Sequence, residues 1–133
     1  MSKVEILRET PTTEKLDNSI YIMATADEKA IKVGYSCDVE KRRKELQTGN
    51  GKKVMILWAI RLSTKNARAV EAQVHVNLKG TMYHSNGEWY NISPETIKAI
   101  ILSEIEKRKC KASVDLQYGL IGALGLKGFG YEF

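Results

Sequence analysis

A tyrosine, a lysine and an arginine are spaced in this chain so that one short hairpin and the helix after it would offer a phenol, an amine and a guanidinium to a single small region. Tyr21 stands in Ile20-Tyr21-Ile22-Met23, Lys32 in Ile31-Lys32-Val33-Gly34-Tyr35, and Arg42 in the basic run from Val39 to Leu46. A phenol can pass a proton, and the two cations can hold a phosphate while charge builds on its oxygens. A lone carboxylate, Glu71, follows on a later segment, with His75 one helical turn beyond it. Together these groups suit phosphodiester chemistry.

The elements that must position them are legible in the apolar pattern. Apolar, β-branched runs at 19–24 and 30–34, joined by a polar loop at 25–29, predict a hairpin with Tyr21 and Met23 on one face. Val39, Arg42 and Leu46 fall at i, i+3 and i+7, so a helix started by Ser36 or Asp38 turns Arg42 toward the sheet, where a guanidinium needs an anion. Gly49-Asn50-Gly51 ends that helix, and the long apolar run 54–62 is a central strand. A second helix over 64–78, capped by Ser63 or Thr64, has Ala67, Val70, Val74 and Leu78 as its inward stripe, with Glu71 facing partly inward. Residues 80–87 read as a polar loop and 88–92 as a short strand or extended segment. Ser93-Pro94-Glu95 starts a third helix that carries Ile97, Ile100, Ile101 and Ile105 to about Lys109.

These elements predict an α+β domain, a small and mainly antiparallel three-stranded sheet flanked by helices, with a C-terminal helix and a glycine-rich arm. The boundaries are 1–18 for an N-terminal segment, 19–109 for the domain and 110–133 for the arm. Glycines at 119, 122, 125 and 128 alternate there with Leu and Ile, a pattern for packing on the domain, on a second copy or on a partner.

A chain of 133 residues can bury a core without metal or disulfide staples. The net charge of +5 tilts the choice of partner toward polyanions. Cys37 and Cys110 have neither metal-ligand nor redox spacing, so two free thiols in a reducing compartment are expected. Residues 1–18 lack the apolar segment of a signal peptide or membrane anchor, which predicts an intracellular, cytoplasmic protein with no membrane partner.

Ile-Tyr-Ile, then Lys-Val-Gly-Tyr-Ser, Arg42 after Lys32, Glu71 with His75, and Gly87-Glu88-Trp89-Tyr90-Asn91 together resemble the GIY-YIG nuclease superfamily, and most of all a compact branch carried by phages and viruses. The resemblance spans roughly 19–101. Lys32 stands where the second signature tyrosine would be, as in some restriction-enzyme relatives, and Ser19 stands in place of the first signature glycine.

The resemblance implies a metal-dependent endonuclease acting on DNA, at work in the host cytoplasm if the protein is a phage's. It implies that Tyr21 activates the attacking water, that Lys32 holds charge near the scissile phosphate, and that Tyr35 relays a proton or orients the water. Arg42 would clamp the phosphate, with Arg43 as the fallback if the helix is rotated. Glu71 would bind one Mg2+ or Mn2+, Asn91 would orient the network, and His75 would steady Glu71 or touch phosphate. Two alternatives remain on the same scaffold. One is a catalytically silent nucleic-acid-binding module, gripping phosphates with Lys41-Arg42-Arg43-Lys44 and Lys52-Lys53. The other is a protein-interaction adaptor docking through the arm. Taken singly, Tyr21 is a packing residue, Lys32 a solvated strand lysine, Arg42 half of a salt bridge, and Glu71 with His75 a surface pair.

Overall fold

Alternation along the first hairpin sets the layout of the domain. The computed structural model describes residues 14–27, 30–79, 84–86 and 89–118. Strands β1 (Asn18–Thr25) and β2 (Ile31–Ser36) pair antiparallel. Successive residues of a strand point to opposite faces. Ile20, Ile22, Ile31 and Val33 therefore enter one core layer, while Tyr21, Met23 and Lys32 face the other way.

Strand β3 (Val54–Leu62) pairs antiparallel with the other edge of β1, and its register slips once. Ile22 is opposite Trp58 and Met23 is opposite Ile56, so Leu57 is an extra residue. This bulge keeps Val54 and Ile56 in the Tyr21 layer while Leu57, Trp58 and Ile60 fill the opposite one. Because both faces of β3 are covered, its sequence reads as an apolar run without alternation.

The three long strands are the ones expected from sequence, but among the described residues the sheet has six, in the order β4-β5-β2-β1-β3-β6, with every pair antiparallel. Beyond the expected three-stranded sheet lie β4 (His84–Asn86), β5 (Trp89–Tyr90), which falls within the short strand or extended segment expected at 88–92, and β6 (Ser113–Val114). Strands this short hold no period to read and exist because a neighbouring edge offers backbone partners. Strand β4 lies in the expected loop, and β6 lies in the expected arm.

Helix α1 (Val39–Thr48) covers the Tyr21 face. Its cap is Asp38, which accepts the Lys41 N–H at 3.0 Å. Val39 is buried and Arg42 and Leu46 are half-buried, the phase expected from their spacing. Helices α2 (Thr64–Lys79) and α3 (Pro94–Arg108) cover the other face. Ser63 and Ser93 start them by accepting the N–H groups of Asn66 and Thr96 at 3.2 and 3.1 Å. Ala67, Val70, Val74 and Leu78 are buried along α2, each large aliphatic side chain contributing about 1.5–3 kcal/mol by leaving water.

The chain on either side is tied to this frame. Asn66 donates to Glu14 at 3.2 Å, and Thr64 donates to Asp17 at 3.1 Å. After α3, Cys110 and Ala112 are buried, β6 pairs with Ile60 and Arg61, and Tyr118 joins the Tyr21 layer. Burial, and then the charges of Glu40, Asp115 and Asp38, push the Tyr118 phenol above its usual pKa. The start of the expected arm is thus part of the domain's edge, and residues 119–133 lie outside the described ones. Both cysteines are free, Cys37 exposed and Cys110 buried. Among the described residues no helix is long and apolar enough to cross a membrane.

Candidate functional site

Tyr21 and Gly34 are direct partners across the β1–β2 ladder, and the tyrosine ring lies over the glycine. A Cβ built on Gly34 would stand 2.6 Å from Tyr21 Cζ, inside any van der Waals contact. The glycine is required here by space, in an ordinary strand conformation. Tyr21 is buried to 1 % exposure, yet its hydroxyl is not sealed in apolar surroundings. The Arg42 guanidinium on α1 approaches it and interacts with it. That interaction, followed by the 3.1 Å ion pair with Glu45, raises the arginine's pKa above its ordinary value. Phenol and guanidinium, far apart in sequence, thus meet over one glycine.

Lys32 shares this face, opposite Met23 and two residues before Gly34. It is only 5 % exposed, unlike a solvated strand lysine, and its Nζ lies 5.7 Å from the centre of the Trp89 ring on the adjacent β5. A lysine kept this dry is costly unless its charge is used or compensated.

Glu71 approaches β2 from the other side. It lies on α2 and accepts a hydrogen bond from His75 Nε2 at 2.9 Å. The same nitrogen is 3.0 Å from the Val33 carbonyl, so Nε2 faces two acceptors and must carry the proton. On the neutral ring, Nδ1 then accepts from the Tyr90 hydroxyl at 2.5 Å. The pair expected at i, i+4 therefore forms as a buried relay of Glu71, His75 and Tyr90 anchored to the backbone of β2. His75 is 5 % exposed and its ring is held by Glu71, Val33 and Tyr90. We expect His75→Gln to destabilise the fold by about 2 kcal/mol in urea titration, because the Tyr90 hydroxyl and the Val33 carbonyl lose a buried partner.

Tyr35, next to Gly34 but on the α2 side of β2, shares a cleft with Glu71. The expected residues thus divide into two groups that meet at the end of β2. Tyr21, Lys32 and Arg42 lie on the α1 face, and Tyr35, Glu71 and His75 lie on the α2 face.

The remaining expected residues are elsewhere. Arg43 is spent on structure, its Nε donating to Glu40 at 2.7 Å and its Nη1 to the Val54 carbonyl at 3.5 Å, which fastens α1 to β3. Lys44 is exposed on α1. Lys52 pairs with Asp27 at 2.5 Å, and the Lys53 carbonyl accepts from Ala26, so both belong to the hairpin-loop end of the sheet. Asn91 is exposed just after β5.

Sequence reasoning passed over Lys65 and Arg68, which line the Glu71 cleft. Their spacing of three and six residues before Glu71 on one helix face was the available signal. Among the described residues no three His, Cys, Asp or Glu side chains form a group fit for a metal ion. A divalent ion here would therefore rest on the Glu71 carboxylate, with water and substrate oxygens as its other donors. Mg2+ accepts such a set, and Glu71 has an oxygen beyond the one held by His75.

A family model describing the T5orf172 domain matches residues 18–105, from the start of β1 into the last turn of α3. The chain belongs to the T5orf172 domain family. This is a phage-associated domain related to nuclease-like folds. Tyr21, Gly34, Lys32, Arg42, Glu71, His75 and Trp89 all lie within the matched T5orf172 region. No curated protein and no solved structure gives a match.

Proposed function

We propose that this T5orf172 domain is a GIY-YIG-type endonuclease that hydrolyses phosphodiester bonds of DNA. The observation that carries the reading is the approach of the Arg42 guanidinium to the Tyr21 hydroxyl over Gly34. A phenol has a pKa of about 10 when free, and an adjacent cation favours its ionised form, which is what a base for water requires near neutral pH. Tyr21 takes the proton of the attacking water, whose oxygen bonds to phosphorus as the opposite P–O bond breaks. Arg42, a planar donor with several N–H groups, stabilises the charge gathering on the non-bridging oxygens, and Lys32 adds to the positive field. Tyr35 orients the water or relays its proton. Glu71, steadied by His75, would hold one Mg2+ or Mn2+, which neutralises phosphate charge when bound.

The test is incubation of labelled duplex, branched and single-stranded DNA, and RNA, with Mg2+ or Mn2+ and with EDTA. Cleavage of a DNA that stops in EDTA is the expected result, and no cleavage of any substrate overturns the reading. Arg42→Lys is expected to cut the rate by about tenfold or more, since one ammonium cannot hold Tyr21 and bridge two phosphate oxygens together.

The division of the site supports a second reading. Tyr21 and Arg42 lie on one face of β2 and Glu71 on the other, an arrangement also open to a nucleic-acid-binding module that does no chemistry. Metal-independent DNA binding without cleavage would identify it. Self-association through the glycine-rich arm, or docking of a protein partner there, belongs to residues 119–133 and is tested by the oligomeric state of a chain truncated after Tyr118.

A further inference from the structure

Lys65 and Arg68 have no part in the chemistry above, yet they face the same cleft as Glu71. With Tyr35, Ala69 and Ala72 they line an open depression of about 500 Å3 between α2 and the end of β2. Spacing of three and four residues places these positions on one strip of the helix, where the two alanines keep the floor low. Both cations are exposed, and no ion pair joins either to another described residue. Glu71, the acid in the lining, already accepts from His75. The cleft is therefore net positive, with two cations facing one engaged carboxylate. Tyr35, at 37 % exposure, presents an aromatic ring to it. An anion joined to a flat apolar group is the ligand that satisfies all three side chains.

We propose that this cleft is a nucleotide subsite for the DNA strand, flanking the reacting phosphate. Lys65 and Arg68 take the phosphate of one neighbouring nucleotide, and the ring of Tyr35 stacks on its base. The strand then passes the end of β2, with the scissile phosphate near Arg42 on one side and the adjacent nucleotide on α2 at the other. The subsite rests on the hydrolase reading for the identity of the strand, but it is tested by binding alone.

The probe is fluorescein-labelled DNA, single-stranded and duplex, with fluorescence anisotropy read in EDTA over a series of salt concentrations. The double variant K65A/R68A is expected to raise Kd by about tenfold or more and to flatten the slope of log Kd against log salt by about 1, because the two cations together neutralise one phosphate. Lys79→Ala, at the far end of the same helix, serves as the control for net charge and should leave the slope within error. Tyr35→Leu should raise Kd by about tenfold through loss of stacking, while Tyr35→Phe keeps the wild-type value. An unchanged slope in K65A/R68A overturns the subsite, as does an equal loss in Lys79→Ala. An equal loss in the Leu and Phe variants overturns the stacking assignment. A wild type that binds through Lys65 and Arg68 yet cleaves nothing sinks the hydrolase reading and leaves the subsite standing. A wild type that cleaves while K65A/R68A binds undiminished sinks the subsite alone.

Discussion

Tyr21→Phe is expected to slow DNA cleavage by about 10²- to 10⁴-fold while leaving DNA affinity near the wild-type value. The ring is buried over Gly34, and phenylalanine fills the same space, so packing is kept. What is lost is the single oxygen that interacts with Arg42. The guanidinium is 41 % exposed and can turn to water or phosphate, which limits the stability cost to about 1 kcal/mol. Single-turnover cleavage in Mg2+ measures the rate, and anisotropy in EDTA measures binding. The pH profile adds a sign. If the phenol is the base, the wild-type rate climbs with pH until the hydroxyl is ionised, and that climb is missing in the phenylalanine variant. Equal rates and equal profiles in the two proteins would remove Tyr21 from the chemistry and leave it a packing residue.

Gly34→Ala is expected to destabilise the domain by about 3 kcal/mol and to abolish most of the cleavage that remains in the folded fraction. The new methyl group would stand 2.6 Å from Tyr21 Cζ, so the ring must move or the strands must part. Neither is easy. Tyr21 is packed with Met23, Val39, Ala59 and Tyr118, and Gly34 is held in the central ladder beside β1. Ring displacement also takes the hydroxyl from Arg42, so stability and activity fall together. Urea titration gives the first quantity and cleavage under conditions where the variant is folded gives the second. The double variant Tyr21→Leu with Gly34→Ala checks the cause, because a smaller side chain at 21 should recover part of the lost stability without recovering cleavage. A Gly34→Ala protein as stable and as active as wild type would rule out the close approach.

Local pattern was enough for the three long strands and the three helices, because each carries a signal within its own segment. Asp38, Ser63 and Ser93 cap helices whose buried positions follow the expected spacing. Arg42 could be placed against the sheet from its phase with Val39 and Leu46 alone. Of the outer strands only β5 was legible, within the segment 88–92 read as a short strand or extended; β4 and β6 could not be read, since a pairing of two or three residues is decided by whichever edge lies alongside. The bulge at Leu57 was hidden for a related reason. A strand buried on both faces looks the same in either register, and only its partners show where one residue has been added.

The candidate site divides along the same line. Residue types and spacing, by themselves, singled out Tyr21, Lys32, Arg42 and Glu71 as chemically promising, and the net charge favoured a polyanionic partner. Tertiary structure alone decided which of them meet. Alternation sends Tyr21 and Tyr35 to opposite faces of the β1–β2 hairpin, so Arg42 meets the first and Glu71 shares a cleft with the second. It also gave Arg43, Lys52 and His75 protein partners, and set Lys65 and Arg68 beside Glu71. The reason is physical. The tendency to form a strand or helix is local and is written in neighbouring residues, whereas a site is a set of distances between distant residues that exists only after the layers have packed.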